Sequence, residues 1–245
     1  MLSDRMMSSG RFTNRPLYLQ LRDALAGRIA NGEWKPNSAI PNESDLAREF
    51  GVSAGTMRKA LDLMEAERLL TRRQGRGTFV NDQTSVELAA RFTNVRNRDG
   101  KRVCGQVKTI QVTQGTANDT ERVRLKLRAE DSVYRVHRTR SDQGQVFLVE
   151  DVSMPVDLFP GLAEKQGGVS PTIALAQEYG ILLGRAEERV GIGSASAAAA
   201  QALGVAAGAP VLLLDRVVMA LDGRPIEWRL ASCHLIDKYY MAEMA

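Results

Sequence analysis

The sequence predicts an α+β protein in two parts: a small three-helix unit ending in a β-hairpin, then a larger antiparallel sheet flanked by helices. Three observations carry this. Apolar residues at helical spacing dominate the first seventy positions, and two β-rich runs folded about glycine turns dominate the C-terminal half. Between them lies "NDQTSVEL" (81–88), polar and without periodicity, which places a linker there. The expected domains are therefore 11–80 and 89–245.

At 245 residues, 44% apolar and 25% charged, the chain can bury two ordinary cores. The net charge of +4 is uneven. Residues 11–82 hold twelve Lys and Arg against nine Asp and Glu, whereas residues 83–245 hold twenty against nineteen. A polyanionic partner is thus expected at the N-terminal third. Cys104 and Cys233 cannot frame a disulfide scaffold and have no metal-type spacing around them, so reduced thiols in a cytoplasmic protein are expected, with a single Cys104–Cys233 bridge as the alternative. No apolar run approaches a membrane span, and "MLSDRMMSSGRFTNR" lacks the apolar core of a signal peptide; its three methionines leave the translation start open.

Leu17, Leu21, Leu25 and Ile29 recur every four residues, with Ala24 and Arg28 beside them, and Asn31-Gly32 stops this first helix. Asn42 can cap a second helix entered at Glu43, with Asp45 near its free amides and Leu46, Ala47 and Phe50 on its buried face. Gly51 turns the chain, Val52 packs at the corner, and Ser53 caps a third helix with Met57, Ala60, Leu61 and Met64 on its inner stripe. A short helix, a glycine turn and a second helix describe a helix-turn-helix, whose second helix presents its first turn to the DNA major groove. Thr56, Arg58 and Lys59 point away from the apolar stripe. "LLTRRQGRGTFV" then reads as strand, tight turn and returning strand, with Arg76 at the tip of a glycine hairpin, suited to a narrow minor groove. Amphipathic helix pairs and arginine clusters are common on proteins that bind no DNA. The ordered set, all in the basic third, points to duplex DNA. The candidate contacts are Ser53, Thr56, Arg58 and Lys59 on the helix, with Arg73, Gln74, Gly75 and Arg76 on the hairpin.

The second part carries two hairpins, one turning at Asp142-Gln143-Gly144 and one at Asp222-Gly223. Helices are expected over 171–179 and over 195–203, the latter capped by Ser194. "LKLRAEDSVYRVHR" (125–138) aligns without gaps on "LGVAAGAPVLLLDR" (203–216), placing Leu125, Leu127, Val133 and Arg138 on Leu203, Val205, Val211 and Arg216. This echo suggests a duplicated helix–turn–hairpin unit building one sheet. Arg138 and Arg140 share a strand face with Tyr134 and Val136. Two adjacent guanidiniums need an anion between them, and Glu150 across the hairpin can supply it internally. The residues alone leave open an internal Arg–Glu cluster or an anion-binding site.

The stretches "PLYLQL", "IPNESDLAREFGVS", "TMRKALDLME" and "RRQGRGTFV" resemble the winged helix-turn-helix domain of the GntR family of bacterial transcription regulators. The resemblance implies DNA contacts from Thr56, Arg58, Gln74, Gly75 and Arg76. The family pattern has Arg where this chain has Ser44 and Ala54, so the operator sequence is expected to differ. "VYRVHRTRSDQGQVFLVEDVSMP", "SPTIALAQEYGI", "ALGVAAGAPVLLLDRVV" and "DGRPIEWRLASCHLIDKYY" resemble the UTRA effector-binding domain of the HutC-type branch. That implies a chorismate-lyase-like antiparallel-sheet fold with a ligand pocket at Arg138, Arg140, Glu150, Ser170, Thr172 and Glu227. Ser170 and Thr172 would contribute from the start of a helix, and Phe92 and Thr93 would close the pocket. The expected protein is a homodimeric repressor that binds a palindromic operator and is released by a small anionic metabolite. A ligand-independent regulator and a lyase-like enzyme are the alternatives. Against an enzyme, the chain offers no nucleophile–base pair, metal set or phosphate loop. No cofactor or metal is expected. His137 falls on the strand face opposite Arg138, and His234 sits beside Cys233 near a strand end.

Overall fold

The computed structural model describes residues 15–82, 92–165 and 172–242. The chain divides into two compact units at Asn81–Asp82.

The first unit runs α1 (Leu17–Ala30), α2 (Glu43–Phe50), α3 (Ala54–Ala66), β1 (Leu70–Arg73) and β2 (Gly77–Val80), the two strands pairing antiparallel. The Asn42 side chain accepts the Asp45 amide at 2.9 Å, and Ser53 accepts that of Thr56 at 3.2 Å. α2 and α3 thus each start where their unpaired amides meet a side-chain acceptor. Gly51 closes α2 at φ 65°, the left-handed conformation that reverses the chain into α3. Leu25, Leu46, Met57, Met64 and Leu69 are wholly buried where the helices meet. One expectation fails on α1. Leu17 is 52% exposed, and the buried residues are Leu21, Arg22, Leu25 and Ala26. Each i+4 step rotates about 40° beyond a full turn, so four such residues in a row cannot all face one core.

The second unit continues with β3 (Val95–Asn97), β4 (Gln106–Thr116), α4 (Asp119–Leu125), β5 (Ser132–Asp142), β6 (Gln145–Pro155), α5 (Thr172–Glu178), β7 (Leu183–Ser194), α6 (Ala197–Leu203), β8 (Pro210–Ala220), β9 (Pro225–Cys233) and β10 (Lys238–Tyr240). Six strands form one antiparallel sheet in the order β4-β5-β6-β9-β8-β7, and β3 pairs with β10. The echo extends further than the aligned segment. Asp119–Leu125 recurs as Ala197–Leu203, and Ser132–Asp142 as Pro210–Ala220, each 78 positions on. Even single hydrogen bonds repeat: Ala117 N to Asp131 O and Ala195 N to Ala209 O. The repeat is strand–helix–hairpin, so β4 and β7 are the two edges and the hairpins meet at β6–β9. The cap of α6 differs from expectation. Ser196, not Ser194, accepts the Ala199 amide, because Ser194 is still the last residue of β7.

Register decides what the sheet displays, because residues directly opposite share a face. Arg138 lies opposite Glu150, and Val136, Val152, Arg229, Arg216 and Glu188 form one cross-strand row. On the same face Tyr134, Val136, Val152 and Met154 pack under Phe159, Leu162, Leu175 and Ala176. At Gly51 an added Cβ would meet open space. Gly51→Ala should therefore cost only backbone strain, about 1–2 kcal/mol, read as a lower urea midpoint for the first unit. An unmoved midpoint would contradict this account of the turn.

Candidate functional site

Two surfaces carry the chemistry. On the first unit, Arg58 and Lys59 of α3 and Arg73, Gln74, Gly75 and Arg76 of the hairpin are exposed. Gly75 sits at φ 69°, and the Arg76 amide closes the turn on Arg73 O at 2.9 Å. Several of these side chains have local partners that the sequence did not indicate. Arg58 donates to both Glu43 oxygens, at 2.8 and 3.2 Å. The Lys59 ammonium stands 4.0 Å from the Tyr18 ring centroid, and the Arg73 guanidinium 4.6 Å from that of Phe79. Ser53 and Thr56 share a hydroxyl–hydroxyl bond of 2.8 Å at the helix start. Ser44 and Ala54 lie exposed in the first turns of α2 and α3.

The second surface is internal. A cavity of about 270 Å³ opens over the centre of the sheet. Its floor is a buried ionic cluster. Glu150 is fully buried and accepts from Arg138 Nε at 2.5 Å, Arg140 Nε at 3.1 Å and Arg229 Nη1 at 3.2 Å. Arg229 Nη2 continues to Glu188 at 2.8 Å, and Arg216 grips the same carboxylate through Nε and Nη2 at 2.7 and 2.9 Å. Tyr240 donates to Glu188 at 2.5 Å and accepts from Asn94 at 2.7 Å. Thr172 donates to Glu227, which lies 3.6 Å from Arg138 Nη2.

The electrostatics follow from burial and pairing. Burial alone would raise the Glu150 carboxyl, yet Arg138, Arg140 and Arg229 hold it far below the ordinary carboxylate range. Glu188 is likewise lowered against its own burial cost, chiefly by Arg216 and Arg229. Burial lowers Arg140 and Arg216, although both guanidiniums stay protonated at neutral pH. Burial and the neighbouring Glu188 push the Tyr240 hydroxyl up to about 12, so it remains a donor. Burial also pushes the Cys233 thiol up to about 12, which removes it as a nucleophile. Among the described residues, four arginines face three glutamates, leaving one positive charge in excess, and Arg138 Nη1 and Arg229 Nε are buried without a hydrogen-bond partner.

Of the residues expected at the pocket, Arg140, Thr172 and Glu227 line the cavity, while Arg138 and Glu150 lie beneath it as its buried support. Ser170 lies outside the described residues. Phe92 and Thr93 line the wall, beside Asn94. Arg216, Arg229, Glu188, Asn94 and Tyr240 were not anticipated. The echo of Arg138 at Arg216 was a usable signal for one of them. His137 bonds Asp151 at 2.7 Å on the other face of the sheet. Both cysteines are free, and among the described residues no His, Cys, Asp and Glu group could hold a metal. No described helix is long and apolar enough to cross a membrane.

With this geometry in place, comparison with known proteins decides the family. The pattern described as "Bacterial regulatory proteins, gntR family" matches residues 17–80, and that of the UTRA domain matches residues 105–239. The chain belongs to the GntR family, in the branch that carries a UTRA domain. It is 28% identical to the HTH-type transcriptional repressor NagR of Bacillus subtilis over 91% of this chain and 92% of that protein. It is 32% identical to the mannosyl-D-glycerate transport/metabolism system repressor MngR of Escherichia coli, over 61% and 62%. The crystal structure of PhnF from Mycobacterium smegmatis shares the fold, at a TM-score of 0.54 and 23% identity over 91% of this chain and 98% of that one. NagR and MngR are both named as repressors. In this GntR-type regulator the exposed helix–hairpin surface belongs to the DNA-binding unit and the cavity to the UTRA domain.

The ionic floor makes two measurable claims. Glu150→Gln leaves buried guanidiniums without their counter-charge and should cost about 3–5 kcal/mol, seen in the urea unfolding of the second unit. The carboxyls of Glu150 and Glu188 titrate lower folded than unfolded. Their stabilisation is thus complete above the usual 4.5 and lost as pH falls through the folded values. The melting temperature should therefore drop more steeply in acid for the native chain than for Glu188→Gln. Parallel acid profiles would refute this assignment.

Proposed function

We propose that the protein is a homodimeric repressor that binds a palindromic operator through its winged helix-turn-helix units and is released by a small anionic metabolite. The anion enters the UTRA cavity. The observation that carries this is the unbalanced charge at the cavity, where Arg140, Arg216 and Arg229 line the wall and, among the described residues, four buried or nearly buried arginines face three glutamates. Repression is supported by the names of NagR and MngR. Dimerisation through the second unit would present two recognition helices with the two-fold symmetry of a palindrome.

Thr56, Arg58 and Lys59 would address the major groove and Arg76 the minor groove, with Ser53, Arg73, Gln74 and Gly75 setting the approach of each element. Glu43 holds the Arg58 guanidinium before DNA arrives, and the phosphate or base then competes with that carboxylate. Ser44 and Ala54, where the family pattern has Arg, remove two cationic contacts and so should lower the salt dependence of binding. The effector acts only to the extent that it binds the operator-competent and released states with different affinity, about 1–3 kcal/mol in typical cases. The 81–88 segment would transmit the difference.

The test uses operator fragments recovered by selection with the full chain. Arg76→Ala should weaken binding and flatten the slope of log affinity against log salt by about one unit. Doubling the 81–88 segment should leave both DNA and effector binding intact while abolishing release. An undiminished response in that variant would overturn the coupling, and a monomer by sedimentation at DNA-binding concentrations would overturn the dimer.

A further inference from the structure

The proposed effector cavity has a chemical bias that goes beyond a preference for anions. Resting on that reading of the site, we propose that the cavity selects an amphipathic monoanion. Such a ligand is a single carboxylate-type acid joined to a compact apolar body, as opposed to a polyhydroxylated sugar phosphate.

Three observations combine. The first is charge. Arg138, Arg140, Arg216 and Arg229 are opposed by Glu150, Glu188 and Glu227, all within linked or adjoining positions on one sheet face. One excess cation is neutralised by one negative charge. A dianionic phosphate would leave its second charge buried and uncompensated. The free donor Arg229 Nε belongs to a side chain that is 5% exposed and lines the cavity.

The second observation is the state of the polar groups on the wall. The Thr172 hydroxyl is committed to Glu227. The Asn94 amide is committed to Tyr240 and Glu188, and the Tyr240 hydroxyl to Glu188. The Arg140 Nη1 donor is committed to Cys104 O at 3.2 Å. Sugar hydroxyls entering here would give up water and find few unoccupied partners. Each unsatisfied hydroxyl costs about tenfold in affinity.

The third is the rest of the lining. Val95, Val107, Phe147, Leu214 and Val218 present apolar surface around the arginines. The sheet creates part of that surface through an irregular register. Arg140 faces Leu148 while Ser141 faces Val146, so Phe147 is an extra residue on β6. This bulge brings both Phe147 and Leu148 to the cavity. At about 270 Å³ the space lies just below the usual range for small-molecule sites. It fits a body the size of a single ring or a short alkyl chain.

The experiment is titration calorimetry on the full chain with benzoate, 3-phenylpropionate and hexanoate, against glucose 6-phosphate, inorganic phosphate and the uncharged 3-phenylpropionamide. At least one of the three acids should bind ten times more tightly than glucose 6-phosphate, and the amide should bind at least ten times more weakly than its acid. Val107→Thr, close in shape and polar at the wall, should weaken that acid severalfold with an unchanged melting temperature. Tighter binding of glucose 6-phosphate would overturn the amphipathic selection and leave the anionic-effector reading standing. Equal binding of acid and amide would overturn both. Unchanged acid affinity in Val107→Thr would place the acid outside this cavity and refute the proposal.

Discussion

Glu150 is a carboxylate removed from water in the middle of a β-sheet, and it stays ionised because three arginines reach it from β5 and β9. Taking such a charge out of water costs several kcal/mol, so the surrounding strands must hold the arginines in place to recover it. That requirement ties together β5, β6 and β9, and through the Arg229–Glu188–Arg216 continuation it reaches β8 and β7. Five of the six sheet strands thus meet at one ionic chain.

The duplication explains how that chain can be built. Two strand–helix–hairpin units related by a shift of 78 positions place Arg138 and Arg216 at equivalent points, one on each side of the β6–β9 junction. The copies then diverge in function. In the first, Arg140 follows on the same face and reaches the cavity. In the second, the equivalent position is Val218, which supplies apolar wall. Near-symmetry of the backbone therefore yields a cavity with a charged side and an apolar side.

The contrast with the DNA-binding unit is physical as well as functional. Its cations on α3 and the hairpin sit in water, where pairs such as Arg58–Glu43 contribute little to stability and can exchange for phosphate. Arg138, Arg140, Arg216 and Arg229 of the second unit are buried or nearly so and cannot exchange without breaking the sheet's ionic chain. One set is available for reversible contact with a polyanion, and the other is committed except for the single charge left over. Asn94 and Tyr240 connect this floor to the β3–β10 ribbon, since Met241 N bonds Asn94 O and Tyr240 pairs with Val95.

Much of this was legible in the sequence because local signals are strong where spacing and caps decide the outcome. Asn42, Gly51 and Ser53 mark the helix boundaries through backbone chemistry that acts within four residues. The turn at Gln143-Gly144 by itself would set Val149 opposite Arg138; the extra residue Phe147 shifts the register by one and brings Glu150 there instead. The helix-turn-helix, the wing and the two hairpins were accordingly within reach of the residues themselves, whereas the Arg138–Glu150 pair, a candidate in the sequence, was fixed by the bulge in β6. Only the tertiary structure decided that Arg216, Arg229, Glu188, Asn94 and Tyr240 join them. Those residues meet through β6–β9 and β7–β8 pairing and through a C-terminal strand that returns to β3. Sequence periodicity shows which face a residue occupies on its own strand. It carries no information on which distant strand lies beside it, and that neighbour determines whether a buried charge is paired or left in excess.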